Sequence, residues 1–136
     1  MSRVMLLAAD RPLPLCNYRE LRTKTFSQGS VTAESGFAVE NCTYYQSAVE
    51  DLGYDWKPCL YELSLERDPH DLEALRSYLE EHLTPGEAVE LWSVWVGDVG
   101  PVAGRPRRYR GKLTELDMDA LGMLFEEGQI CLTAER

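Results

Sequence analysis

Cys59-Leu60-Tyr61-Glu62-Leu63-Ser64-Leu65-Glu66-Arg67-Asp68-Pro69-His70-Asp71 is the stretch from which the chain is read. Tyr61, Leu63 and Leu65 alternate with Glu62, Ser64 and Glu66, the period of two of a strand with one buried and one wet face. Asp68 then precedes Pro69, with Asp71 close behind. Asp at the N-cap, Pro in the first turn and acid beside the positive helix end predict a helix start. Leu72, Leu75, Leu79 and Leu83 follow at helical spacing, and Pro85-Gly86 ends the run.

Downstream, Ala88 to Val96 reads as a strand that is apolar on both faces, with only Glu90 and Ser93 polar inside it. Such a strand needs cover on each side. Gly97 to Pro106 is a loop rich in glycine and proline. Arg107 to Leu113 alternates again, with Tyr109 and Leu113 on one face and Arg108, Arg110 and Lys112 on the other. Asp117 is placed to cap a second helix carrying Met118, Leu121, Leu124 and Phe125, ended by Gly128. Ile130, Leu132 and Ala134 alternate with Gln129, Cys131 and Thr133. Strand, helix, strand, strand, helix, strand over residues 59–134 predicts an α+β fold with a ferredoxin-like βαββαβ core. That topology makes the first and third strands neighbours and sets Glu62 and Glu66 against Arg108, Arg110 and Lys112.

Upstream, residues 3–9 read as a buried strand, and the prolines at 12 and 14 exclude regular structure after it. Leu13 and Leu15 predict that this segment lies across the core. Tyr18 to Leu21 reads as a helical turn, Ser27 to Ser30 as a turn or loop, and Gly36 to Glu40 as a short strand. Tyr45, Ala48, Val49 and Leu52 predict a short helix ending at Gly53. Residues 1–57 are thus expected to add one or two strands and a short helix, as an extension packed on residues 58–136 in a single domain. The topology of residues 10–57 stays open.

The chain has 136 residues and a formal net charge of -9, with 44% hydrophobic and 27% charged residues. It is long enough to bury a core without staples. Its acidity opposes nucleic acid and anionic membranes and suits solubility or a basic protein partner. The apolar run at the N-terminus stops at Asp10-Arg11-Pro12, too early for a signal peptide or a membrane span. A cytoplasmic protein with reduced thiols is expected. Four cysteines without CxxC spacing and two histidines offer no metal motif, and no cofactor is implied. No phosphate-binding glycine loop, nucleophile elbow or HExxH is present.

Two groups of residues stand out as candidates. Arg105, Arg107, Arg108, Arg110 and Lys112 form a basic cluster in an acidic protein. It suits an acidic or phosphorylated ligand, or else a cross-strand charge ladder. Tyr109 falls on the opposite face, the wrong pattern for base stacking. The second group is aromatic: Trp92, Trp95, Trp56 and Tyr54. An offset of three puts Trp92 and Trp95 on opposite faces of one strand. At least one of them needs a cover outside the helical layer, from the N-terminal segment, a partner chain or a ligand. Cys16 and Cys42 lie in irregular segments as possible nucleophiles without an adjacent base.

Leu7-Ala8-Ala9-Asp10-Arg11-Pro12-Leu13-Pro14 and Glu90-Leu91-Trp92-Ser93-Val94-Trp95 resemble stretches of small bacterial cytosolic proteins of uncharacterised activity. The resemblance implies no catalytic role. The functional expectation is a non-enzymatic module that binds a protein partner or a second copy of itself. The alternatives are a sensor or minor enzyme for a small anionic metabolite, and an immunity- or antitoxin-like inhibitor of a basic partner.

Overall fold

The structure is a computed structural model that describes residues 2–97 and 104–136. Most of the glycine- and proline-rich loop predicted over Gly97–Pro106 therefore lies outside the described residues. The fold is α+β. Strands β1 (Ser2–Ala9), β2 (Cys16–Asn17), β5 (Ala38–Asn41), β6 (Cys59–Ser64), β7 (Ala88–Val96), β8 (Arg107–Lys112) and β9 (Ile130–Glu135) form one sheet in the order β2-β5-β6-β1-β7-β9-β8. Strands β3 (Glu20–Phe26) and β4 (Gly29–Ser35) form a separate two-stranded ribbon. The helices are α1 (Gln46–Glu50), α2 (Pro69–His82) and α3 (Met118–Met123), with a 3-10 turn at Leu113–Glu115.

The helix starts follow the predicted chemistry. The Asp68 carboxylate accepts the Asp71 amide at the head of α2, and Asp117 accepts the Ala120 amide at the head of α3. Gly53, Gly86 and Gly128 take positive φ where the helical runs end. The second helix is shorter than its apolar pattern suggested. Its helical span ends at Met123, and Glu126 and Glu127 fall in the bend beyond it. Acid at the negative end of a helix is unfavourable, which fits the early stop.

The strand order is not the ferredoxin-like one. β1 enters between β6 and β7, pairing antiparallel with both. Among the described residues β8 pairs with β9 alone, in parallel, and three strands separate it from β6. The predicted Glu62–Arg110 neighbourhood is therefore absent. Glu62 instead stands opposite Glu40 on β5, while Lys112 stands opposite Glu135 on β9 and ion-pairs with it. The reason lies in β1 itself. Leu7 and Ala9 are buried toward the helices, and Val4, Leu6 and Ala8 are buried on the other face. A strand apolar on both faces belongs in the interior of a sheet rather than beside it.

Two layers result. α2 and α3 cover one face through Leu72, Leu75, Leu79 and Leu121. On the opposite face Val49 of α1 and the segment from Cys42 to Trp56 pack over Leu6, Trp92 and Val94. The proline segment crosses the helical side: Leu13 is buried, its amide donates to the Tyr61 hydroxyl, and the Tyr78 hydroxyl donates to the Pro14 carbonyl. Leu15 remains exposed.

The expected helical turn at Tyr18–Leu21 is not formed, because β3 begins at Glu20. The ribbon is joined by Ser27-Gln28 and tied to the body by Arg22, which donates to Asp68 (3.0 Å) and Asp71 (2.8 Å). No helix among the described residues is long and apolar enough to cross a membrane.

Candidate functional site

Trp92 is fully buried on the face away from α2 and α3. Its cover comes from the same chain. Gly53 turns the backbone at positive φ after α1, and the next residues run across the indole. Tyr54 stacks on Trp92 with ring centres 5.7 Å apart, and Trp56 meets it edge-on at 4.8 Å. Glu90, two residues from Trp92 and on the same face of β7, pins this cover. Its Oε1 accepts the Lys57 amide (2.9 Å) and the Trp92 indole N–H (3.2 Å). A buried carboxylate with two donors is largely compensated for leaving water.

The basic strand borders this aromatic layer. The Arg108 guanidinium carbon lies 5.3 Å from the Trp92 ring centre, and the guanidinium also pairs with Asp55. The hydrogen bond from Arg108 holds the Asp55 carboxyl below the usual range. The Tyr54 hydroxyl donates to the Gly104 carbonyl at 3.0 Å. Between these groups lies an open groove of about 520 Å³, lined by Tyr54, Asp55, Gly104, Arg105, Pro106 and Arg108.

Of the predicted residues, Tyr54, Trp56, Trp92, Arg105 and Arg108 thus meet in one region. Arg110 is the next residue on the same face of β8 and is exposed. Trp95 is not part of the group. It sits half-buried on the other face, and the buried Gln129 side chain bonds to both its backbone N–H (2.6 Å) and its C=O (3.1 Å). Arg107 also points away and pairs with Glu126. Two contributors were missed in the sequence, Asp55 and Glu90. Asp55 was visible only as a lone acid between two aromatic residues, and Glu90 only as a polar position inside an apolar strand.

Other clusters have structural employment. Asp68, His70 and Asp71 lie close enough to hold a cation. However, Arg22 occupies both carboxylates, and Asp71 also accepts the Glu66 amide. Burial pushes the Cys16 and Cys42 thiols up, and Cys131 up to about 12. None of these three is activated as a thiolate.

No protein-family model, curated protein or solved structure matches this chain.

Proposed function

We propose that this protein is a non-catalytic, cytoplasmic interaction module that holds an acidic segment of a protein partner against the basic strip of β8. One observation carries the reading. Arg105, Arg108, Arg110 and Lys112 gather at one margin of a molecule whose net charge is -9. Such a local reversal of sign steers and orients an acidic partner, while the net charge of -9 opposes nucleic acid over the molecule as a whole. The pinned aromatic layer beneath Arg108 gives the strip a stiff base, which lowers the ordering cost of binding. Raised thiols and carboxylates engaged by arginine argue for a binding role over a catalytic one.

A second reading is favoured by the groove itself, where Arg105 and Arg108 converge beside Tyr54. A small anionic metabolite suits that geometry. One titration separates the two, with a short glutamate peptide and with inorganic phosphate as probes. The module reading expects the peptide to bind, more weakly as salt rises. It also expects roughly tenfold weakening in the R105E/R110E double variant. Phosphate binding without peptide binding transfers the case to the metabolite. Binding of neither probe removes both.

A further inference from the structure

The geometry points to how the acidic segment is held: as an added strand on the free edge of β8, with acidic and apolar residues alternating along it. This rests on the module reading and deepens it.

β8 ends the seven-stranded sheet, and among the described residues no strand lies beyond it. The Arg107 amide donates inward to the Gln129 carbonyl at 2.8 Å. Backbone groups alternate sides along a strand, so Tyr109 and Gly111 also face β9. Arg108 and Arg110 turn their N–H and C=O outward, unpaired with any strand among the described residues. The edge closes at Lys112, whose amide is taken by the Glu115 carboxylate at 3.0 Å. Among the described residues an open window of two outward-facing residues remains, enough for a short added strand.

The two faces of this window differ. Arg108, Arg110 and Lys112 lie on one. Residues laterally opposite in neighbouring strands share a face, so the incoming residues beside Arg108 and Arg110 are best acidic. On the other face, Gly111 has no side chain, and a Cβ built there meets nothing within 4 Å. Its absence leaves a slot of about 250 Å³ bounded by Tyr109, Leu116, Ala120, Met123 and Leu132. An apolar side chain from the incoming strand fits there. The preferred ligand thus alternates acid and aliphatic residues.

The same charges keep a second copy away. Two β8 edges joined about a two-fold axis normal to the sheet set same-face residues opposite each other. Arginine would then face arginine. The edge is selective for a chemically different strand.

The test uses the full chain and a labelled short peptide alternating Glu and Val, followed by fluorescence polarisation. Two further peptides carry backbone N-methyl groups, one on every Glu and one on every Val. Only one of these sets turns its N–H toward β8: the Glu set in antiparallel addition, the Val set in parallel. The expected result is roughly tenfold or greater weakening for one methylated peptide and little change for the other. A peptide of the same composition with its Glu and Val in blocks should also bind roughly tenfold more weakly. G111V fills the slot, so it should weaken the alternating peptide while leaving the all-glutamate peptide unchanged. If G111V does not fold, the methylated pair decides alone. Equal binding of all three alternating peptides, still salt-sensitive, overturns strand addition and leaves the acidic-partner reading standing. Binding of neither the alternating nor the all-glutamate peptide overturns both. A dimer joined edge to edge through β8 also overturns the inference.

Discussion

Arg108 rests its guanidinium over the ring of Trp92, 5.3 Å from ring centre to guanidinium carbon. A residue of the outermost strand thereby touches the largest fully buried side chain of the sheet. The contact joins the predicted basic cluster to the predicted aromatic one, across β9, which lies between their strands.

The two partners differ in what they contribute to stability. Trp92→Ala removes a fully buried indole and leaves Tyr54 and Trp56 without a floor. It should cost about 3–5 kcal/mol in urea denaturation. Arg108→Ala removes only a half-exposed cation over a ring, worth less than about 1 kcal/mol. It should nonetheless change the tryptophan emission, since a charge beside the indole is lost. Equal losses of stability for the two variants would contradict this account of the layer.

Asp71 makes stability depend on acid. Burial alone would push its carboxyl up, but hydrogen bonds from Arg22, the Glu66 amide and His70 outweigh burial and hold it below the usual range. A carboxyl depressed in the folded state contributes stability above its unfolded value and loses it as pH falls through the folded one. The urea midpoint of the wild type should therefore drop in that acid window. Arg22→Ala should lower the midpoint at neutral pH and flatten or reverse this limb, because burial then dominates at Asp71. Asp71→Asn should cost about 1–3 kcal/mol, since a buried group loses charge-assisted bonds. Proteolysis in the β3–β4 ribbon should rise in the Arg22 variant, as its tie to α2 is gone.

Glu62 works in the opposite direction. Burial, then the Glu40 carboxylate facing it, push its pKa up against the Thr43 backbone and Arg19. A carboxyl raised in the folded state favours folding in acid, and that contribution is lost as pH rises from its ordinary value through the raised one. Glu62→Gln should therefore raise the denaturation midpoint at neutral pH, and the gain should shrink to nothing in acid. A gain independent of pH would point to packing instead of charge.

Ser93 carries a buried hydroxyl with no hydrogen-bond partner among the described residues. Ser93→Ala removes an unpaired polar group and leaves the strand intact. Stability should rise by about 1 kcal/mol. A loss of stability instead would mean that the hydroxyl has a water or protein partner.

Local signals carried the elements well. The alternation from Cys59, the Asp68 and Asp117 caps and the glycines after the helical runs each act within a few residues. Each is found where the sequence pattern put it. The ribbon was less legible. Glu20 to Ser35 is almost wholly exposed, so it carries no buried-face alternation to mark its strands, although its turn was visible at Ser27–Ser30. At the site, the sequence singled out Tyr54, Trp56, Trp92, Arg105 and Arg108, but as two separate groups. Gly111, a lone glycine inside a strand pattern, is a recognised sign of close approach or open space and was passed over.

By itself the sequence determined an α+β chain, the place of both main helices, and the opposite facing of Trp92 and Trp95. Only the tertiary structure decided that β1 divides β6 from β7 and that β8 is left at the margin. Pairing between strands is a choice among many distant partners of similar local fitness. Here burial of both faces of β1 outweighed a cross-strand charge match worth only a few tenths of a kcal/mol per pair. The cations Arg108 and Lys112 found Asp55 and Glu135 instead, and that same outcome left one edge of β8 without a neighbouring strand among the described residues.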